Sequence, residues 1–209
     1  MQTDRKSDSG KPGASSYHHG DLRAALVDAA RDIVVHQGPA AVSLRGVAKA
    51  VGVSQTAPYH HFKDKQALLE AVAAAATRAF TATMLAHADG ASDPRERLNR
   101  LGVGYVSFAV RERALFQFMQ APAFQAEDVD LDLAEARAAS YAPLADAVAA
   151  CLPGAGERRI KTACAAAWSL VHGMASLAND GRLDDMLDLG DLETAALSIT
   201  AQLDIERAE

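Results

Sequence analysis

The chain has 209 residues, of which 49% are hydrophobic, 23% are charged and 5% are aromatic, and its formal net charge at pH 7 is −6. This is enough apolar sequence for one compact body or for a small domain joined to a larger one. Abundant alanine and scarce aromatic residues favour helix over strand.

Several classes of protein are disfavoured at this level. No apolar run approaches the roughly 20 residues that a membrane span needs. Residues 1–16 are polar and rich in glycine and serine, and we expect a disordered tail rather than a signal peptide. The two cysteines, Cys151 and Cys164, match no zinc spacing and predict no disulfide. We therefore expect a cytoplasmic protein with no membrane partner, no metal and no cofactor.

The charge is distributed unevenly along the chain. Residues 1–65 carry a net charge of +3 and the remaining residues −9, which together give the overall −6. We call residues 1–65 the front and the remaining residues the body. A basic front and an acidic body suggest two domains, of which the front binds an anion. A solvated charge fluctuation would produce the same asymmetry, so the charge alone does not identify the anion.

Helical periodicity predicts about nine helices and no strand. The first four are expected at about 21–37, from an N-cap at Ser43 to Ala50, from Ser54 to residue 61 or 62, and from an N-cap at Asp64 to about 88. After a break at 88–94, helices follow through Leu98 to Phe108, at 114–120, in a long segment kinked near Pro143, at about 157–179 and at about 191–207. The predicted fold class is all-α: a helix-turn-helix domain at 17–65, a linking helix at 64–88, and a helical bundle at 89–209.

The second and third predicted helices form a helix-turn-helix pattern, SLRGVAKAVGVSQTAPYHHF, at residues 43–62. Helices this short are unstable alone, and joined they bury Val47 and Ala48 around the turn at Gly52. In this motif the second helix enters a major groove. Pro58 is predicted to be the fourth residue of that helix, where its missing N–H costs one hydrogen bond, to the Ser54 carbonyl.

The outward side chains of this segment suit a nucleic acid. Gln55, Thr56, Tyr59 and His60 can hydrogen-bond base edges or phosphates. Lys63 and Lys65 flank a helix start that already favours a phosphate, and Ser43 and Arg45 on the preceding helix can reach the phosphate backbone. An ordinary solvated helix pair is the alternative.

Residues 17–72 resemble the DNA-binding domain of the TetR family of transcriptional regulators. The resemblance rests on SLRGVAKAVGVS and on the run formed by Tyr59, His61, Phe62, Lys65, Leu68 and Leu69. It implies that Tyr59, His61 and Lys65 grip phosphates, that Gln55 and Thr56 lie where the family reads bases with His60 beside them, and that Phe62 is a buried anchor. The sequence TAPY at 56–59 departs from the commoner family pattern, which affects base preference rather than docking.

The segment AAAWSLVHGMASLANDGRL, residues 165–183, resembles the C-terminal signature of one TetR branch, which has a Trp and a His-Gly pair. Trp168 and His172 are four residues apart and share a helix face, while Gly173 permits a close helix approach; packing and ligand binding both remain open. The last two helices are the expected homodimer interface, with candidate contacts Leu170, Val171, Leu177, Leu192, Ala196, Ile199 and Leu203.

A ligand pocket is expected among the fourth to eighth predicted helices. Its candidate liners are Tyr105, Phe108, Phe116, Met119, Phe124, Tyr141, Trp168 and His172. Aromatic residues at helical spacing also form ordinary cores, so the sequence does not separate liners from core. Few charged residues interrupt these faces, which favours an uncharged or largely apolar ligand.

The hypothesis from the sequence is a homodimeric transcriptional repressor that binds a palindromic double-stranded DNA operator and is released by a small effector. A regulator without a small-molecule effector and an activator are the alternatives. An enzyme is disfavoured because the chain contains no GxSxG, P-loop or HExxH motif. Cys164 and His172, eight residues apart, would lie about 12 Å apart along one helix, too far for a nucleophile–base pair.

Overall fold

The computed structural model describes residues 19–183 and 191–202, which form eight α-helices and no strand. The helices are α1 (His19–Gln37), α2 (Leu44–Val51), α3 (Lys65–Ala88), α4 (Pro94–Arg111), α5 (Arg113–Met119), α6 (Leu131–Cys151), α7 (Glu157–Asn179) and α8 (Leu192–Thr200). Short 3₁₀ helices occupy Pro39–Ala41, Ala57–His60 and Pro122–Phe124. The all-α class is confirmed. The predicted tail at 1–16 and Leu203 lie outside the described residues.

Local capping determines where α2 begins and ends. The Ser43 hydroxyl oxygen accepts a hydrogen bond from the Gly46 N–H at 3.1 Å, which satisfies one of the free donors of the first turn. At the other end Gly52 has φ of 80°, a left-handed conformation that side chains with a Cβ disfavour. The predicted N-cap and the predicted glycine turn are both present, and the helix ends at Val51, one residue later than expected.

The segment after this turn corrects the predicted third helix. It is a 3₁₀ helix, Ala57–His60, and not an α-helix that starts after Ser54. The Ser54 carbonyl accepts a hydrogen bond from the Ala57 N–H at 3.0 Å, so Pro58 does not leave it unpaired. The Pro58 ring is buried, and its carbonyl accepts from the Phe62 N–H at 2.9 Å. Proline at the start of a short 3₁₀ helix therefore serves as a packing residue.

The linking helix α3 begins where Asp64 accepts a hydrogen bond from the Ala67 N–H at 2.8 Å. It packs against α1, α4, α5 and α6, and Phe80 and Met84 are among its buried residues. By length and composition α3 could cross a membrane, and it is the one helix of the described residues with that property. A mostly buried core helix passes the same test, and 56% of its most apolar window is buried.

Helix α4 runs through the centre of the body, and every residue from 101 to 109 is buried. Gly104 lies where α4 crosses α3, because a Cβ at this position would be only 2.6 Å from the Met84 Cα. The Phe80 ring, from α3, packs edge-on against Tyr105 and Phe108 with centroid distances of 5.0 and 5.4 Å. The linking helix is thus held to the body by close backbone contact and by aromatic packing.

Ion pairs connect the front of the molecule to the body. Asp132, in the first turn of α6, contacts Arg78 of α3 and lies 4.0 Å from the Arg23 guanidinium of α1. Arg31 of α1 lies 3.7 Å from Glu112, at the junction of α4 and α5. These side chains are partly exposed, so each pair contributes roughly 1 kcal/mol or less to stability. Their position matters more, since they join α1 to helices of the body.

Candidate DNA-binding surface and body cavity

The residues predicted to contact DNA lie between the N-cap of α2 and the first residue of α3. Seven of them are exposed, namely Ser43, Arg45, Gln55, Thr56, Tyr59, His60 and Lys63, while His61 and Lys65 are half-buried. The Ser54 and Thr56 hydroxyls are 3.1 Å apart and hydrogen-bond each other, which orients the Thr56 side chain. The Gln55 amide and the Tyr59 phenol therefore project from a short, locally rigid segment.

Two of these residues also have structural roles. The Lys65 ammonium donates a hydrogen bond to the Ala40 carbonyl at 2.9 Å and so ties α3 to the 3₁₀ helix after α1. The Ser43 hydroxyl oxygen is the cap acceptor of α2, which leaves its own proton to be donated elsewhere. The resemblance to the family implies a phosphate contact for Lys65, and its side chain has a role in folding as well.

Three exposed cations lie on this surface, namely Arg45, Lys49 and Lys63. Each lies more than 4.0 Å from any carboxylate oxygen of the described residues. Lys49 was not among the predicted contacts, although it follows Arg45 by four residues and so shares its helix face. Unpaired cations on one short helix suit a polyanion such as the DNA backbone.

The body contains a cavity of about 600 Å³. Its wall is built from α3, α4, α6, α7 and the segment 119–129, with Thr200 of α8. Four of the predicted liners lie on this wall, namely Tyr105, Met119, Tyr141 and Trp168. Tyr141 and Trp168 are 48% and 50% exposed, so the cavity reaches solvent beside them.

A hydrogen-bonded cluster surrounds the hydroxyl of Tyr105 on this wall. The Tyr105 oxygen lies 2.8 Å from His172 Nδ1 and accepts a hydrogen bond from Trp168 Nε1 at 3.3 Å. Burial raises the pKa of Tyr105 to about 12, and the hydrogen bond from Trp168 opposes that rise. The phenol is therefore neutral at physiological pH and fixed in direction, which makes it a defined polar point in a largely apolar wall.

A second polar contact joins α6 to α7. A hydrogen bond with the Cys164 thiol, together with burial, raises the pKa of the Tyr141 phenol. Cys164 is buried and Cys151 is half-buried, and no disulfide joins them. Within residues 19–183 and 191–202, no group of three or more His, Cys, Asp or Glu side chains could hold a metal ion.

The remaining predicted liners are corrected by the structure. Three of them are buried in the core and are not part of the cavity wall, namely Phe108, Phe116 and Phe124. His172 is exposed and lies outside the wall, where its Nδ1 hydrogen-bonds with the Tyr105 hydroxyl. Because α4 is buried on all sides, its periodicity does not reveal which side faces the cavity. The wall residues that the sequence analysis missed include Phe80, Asn99, Gln120, Glu127 and Arg137.

The candidate dimer contacts separate into two groups. Leu170, Leu177, Leu192 and Ile199 are half-buried, whereas Val171 and Ala196 are buried within the chain, Val171 on the cavity wall. The sequence identified apolar positions on α7 and α8 without showing which side of each helix packs on α4. The exposed side of α7 instead presents small residues, namely Ala165, Ala166, Ser169, Gly173 and Ser176.

Two family models match the chain, one over each part of this architecture. Residues 26–72 match "Bacterial regulatory proteins, tetR family", and residues 98–200 match "Tetracyclin repressor-like, C-terminal domain". The first match runs from the middle of α1 into α3, and the second runs from within α4 to the end of α8. Regulators of this family are generally not enzymes.

Similar proteins agree with these matches. A solved structure from Rhodococcus sp. RHA1, described as a protein with unknown function, is 32% identical, has a TM-score of 0.74 and is matched over 91% of this chain and 99% of that one. A TetR family transcription regulator from Marinobacter aquaeolei VT8 shares the fold, with 19% identity, a TM-score of 0.58 and coverage of 85% and 92%. The HTH-type transcriptional regulator BetI of Rhizobium meliloti (strain 1021) is 35% identical over 79 residues, which span 38% of this chain and 39% of that relative. The chain belongs to the TetR family of DNA-binding transcriptional regulators.

Proposed function

We propose that this protein is a cytoplasmic, homodimeric repressor that binds a palindromic operator and releases it when a small, largely apolar effector enters the body cavity. One observation carries the proposal. Thr77, Phe80 and Met84 of α3 line the cavity, and the same helix begins at Lys65, beside the DNA-binding segment. A helix shared by the two sites allows occupancy of one to change the affinity of the other.

The exposed side chains of the front support two kinds of contact with DNA, one to base edges and one to phosphates. Gln55 offers an amide that can pair bidentately with adenine, and Thr56 offers a hydroxyl and a methyl group for thymine. In this proposal Tyr59, Lys63 and Arg45, which are all exposed, contact phosphates, and such contacts position the protein without reading sequence. In this proposal His60 and His61 contact the backbone beside them.

The exposed face of α7 supports the homodimer. A Cβ on Gly173 would meet none of the described residues of other helices within 4 Å, so packing among those residues does not account for a glycine at this position. In a helix interior glycine costs about 1 kcal/mol relative to alanine. A partner helix that approaches this face would account for it, and Leu197 of α8 is a further apolar side chain that is 46% exposed. A two-fold axis through this face would present two front domains to a palindrome.

The contacts of Asp132 support a route from cavity to DNA. Asp132 lies in the first turn of α6, and later residues of this helix line the cavity. The Asp132 carboxylate forms ion pairs with Arg23 of α1 and Arg78 of α3. An effector that displaces α6 against α3 would therefore shift the front domain. The two recognition segments of the dimer would then no longer match the operator spacing, and the population of the binding-competent form would fall.

The size of the cavity favours an effector over regulation without one. Ligand pockets in proteins typically have volumes of about 300–1,000 Å³, and the body cavity, at about 600 Å³, lies within that range. Its wall is mainly apolar, with side chains such as Met84, Leu98, Leu101 and Val171. The ligand-responsive form of the regulator is for this reason preferred.

Selection of bound DNA from a random pool, followed by gel-shift assays, tests the proposal. The expected product is a palindrome bound by two chains. Gln55→Ala should relax preference at one position of each half-site, whereas Lys63→Glu should weaken binding to all sequences and flatten its salt dependence. Gln117→Ala, an exposed change on α5, is the matched control and should bind as the wild type does.

The outcomes separate the components of the proposal. No enriched sequence, or variants that all bind like Gln117→Ala, would refute the assignment of the DNA-binding surface. Enrichment of a single half-site bound by one chain would refute the homodimer on a palindrome. A reporter gene carrying the selected operator would show whether the protein represses or activates.

A further inference from the structure

The cavity wall carries an arginine that has no acidic partner among the described residues. Arg137 of α6 is half-buried and lines the cavity, which is otherwise walled mainly by apolar side chains. Its guanidinium donates one hydrogen bond, to the Ala126 carbonyl at 3.3 Å. Across the parts of the chain that the structure describes, no carboxylate oxygen lies within 4.0 Å of it.

Three other arginines that pack on the body are paired with carboxylates. Arg78 contacts Asp132, Arg100 contacts Glu96 and Arg111 contacts Glu193. A guanidinium has five N–H donors in a planar fork, and Arg137 uses one of them on a backbone carbonyl. Partial burial of a cation is unfavourable unless an anion or further hydrogen bonds compensate for the lost water. The remaining donors are therefore available to a ligand in the cavity.

One acidic side chain shares this wall. Glu127 lines the cavity too, but it is exposed and keeps its hydration. It follows the Ala126 carbonyl to which Arg137 donates, yet its carboxylate lies beyond 4.0 Å from the guanidinium. Arg137, half-buried, is thus the less hydrated of the two charges on the wall, and we expect it to favour an anion more strongly than Glu127 favours a cation.

We infer that the cavity takes an amphipathic carboxylate, whose acidic group pairs with Arg137 and whose apolar part lies among Phe80, Met84, Leu98 and Leu101. This inference rests on the proposed function, because it names the chemical class of the effector of the same cavity. A carboxylate matches the fork of a guanidinium through two parallel N–H···O bonds, a geometry that a neutral amide does not reproduce. Asn99, on the same wall and without a hydrogen-bond partner among the described residues, adds a polar group for the ligand.

The position of Arg137 also links the ligand to the front of the molecule. Arg137 lies five residues after Asp132 on α6, and Asp132 holds Arg23 and Arg78. A carboxylate drawn to Arg137 therefore pulls on the same stretch of α6 that contacts α1 and α3. The ion pair between the ligand and Arg137 would set the direction in which α6 moves. A purely apolar ligand makes no such ion pair and would not set this direction.

Trp168 provides a direct readout, since it is the single tryptophan of the chain and lies on the cavity wall. We would titrate the full-length protein with decanoate, decanamide and decylammonium while following tryptophan fluorescence. The three probes share an apolar chain and differ in the charge of the head group. The wild type should bind decanoate at least tenfold more tightly than decanamide, and decylammonium most weakly.

Two variants and a control attribute the preference to Arg137. Arg137→Gln should bring the affinities for decanoate and decanamide to within a factor of two or three, and Arg137→Lys should restore part of the difference because it keeps the charge. Arg113→Gln, an exposed change on α5, should behave as the wild type does. Thermal unfolding of each variant shows that the fold is intact.

Equal affinity for decanoate and decanamide in the wild type would overturn the inference, as would a preference that survives Arg137→Gln or the absence of any fluorescence change with decanoate. Preferred binding of decylammonium would overturn it in favour of Glu127. The proposed function fails in a different way. If decanoate binds through Arg137 but operator affinity does not change, the ligand class stands and the ligand-responsive release is refuted.

Discussion

The Tyr105 hydroxyl is the most strongly perturbed group of the cavity wall. Its burial stabilises the neutral phenol, and the hydrogen bond that Trp168 Nε1 donates to its oxygen acts in the opposite direction but is the weaker effect. With a pKa of about 12 in the folded protein, against the usual value of about 10, the folded state retains its proton longer than the unfolded chain does. This contribution to stability is complete below pH 10 and is lost as pH rises towards 12.

This difference gives a testable pH dependence. By about pH 11 the wild type should have lost roughly 1 kcal/mol of unfolding free energy from this one group. Tyr105→Phe lacks the titrating group, so the advantage of the wild type over this variant should shrink by that amount between about pH 9 and about pH 11. Urea unfolding of both proteins at the two pH values measures it. A difference that stays constant with pH would contradict the cluster as described.

Single residues also show what the sequence could and could not foretell. Ser43 and Asp64 were predicted as N-caps because the side-chain chemistry of a cap is local, and both accept the expected hydrogen bond. Pro58 was placed in an α-helix, whereas the segment is a 3₁₀ helix and the ring is buried. The choice between these helices depends on how the ring packs on α2, which is tertiary information.

Helix packing in the body depends on one close crossing. Gly104 faces the backbone of α3, where an added Cβ would lie 2.6 Å from the Met84 Cα and 3.0 Å from the Thr83 carbonyl oxygen. Backbone atoms cannot rotate away as side-chain atoms do. The crossing of α3 and α4 therefore requires glycine, and it fixes the position of the linking helix on the body.

Gly104→Ala should lower the unfolding free energy by about 1–3 kcal/mol, because the two helices must separate or bend. Gly102→Ala is the matched comparison, since a Cβ there meets the Thr200 and Val171 methyl groups at 2.9 and 3.1 Å, and those can shift. Chemical denaturation should show the smaller loss for Gly102→Ala. A larger loss at Gly102 than at Gly104 would contradict this account of the crossing.

The long helices were the most predictable elements, and the cavity wall the least. The bounds of α7 coincide with the predicted 157–179 because glycines at 154, 156 and 181 mark a break on either side of it. Phe108 and Phe116 are aromatic residues at helical spacing, as some residues of the cavity wall are. They nevertheless pack on Phe80 in the core. Which side of a fully buried helix faces a cavity is decided by its neighbours.

Assembly of two chains is the largest-scale feature of the proposal. Gly173→Leu should place a bulky side chain on the exposed face of α7, where no described residue of another helix lies within 4 Å of the added Cβ. We expect the variant to stay folded and to become monomeric at concentrations at which the wild type is a dimer, as measured by sedimentation equilibrium. Ala139→Leu, on the exposed side of α6, is the control. Dimerisation of Gly173→Leu at the wild-type concentration would exclude this face as the interface.

The general architecture could be foreseen from the chain, but the connection between its parts could not. The break at 88–94 and the charge difference between residues 1–65 and the rest predict a front and a body. The contacts of Asp132 with Arg23 and Arg78 join residues that are more than fifty positions apart. Such pairs follow no local pattern, although they are the contacts through which the cavity is proposed to act on DNA.

The central claim is that the contents of the cavity control operator affinity, and filling the cavity from within tests it most directly. Ala167 is a small residue of the cavity wall, so Ala167→Phe places a ring in the space of the effector. The dissociation constant for the selected operator, measured by fluorescence anisotropy, should rise at least tenfold in this variant. Ala139→Phe, on the exposed side of α6, should match the wild type. Equal operator affinity in Ala167→Phe and Ala139→Phe, with both proteins folded and dimeric, would contradict the claim.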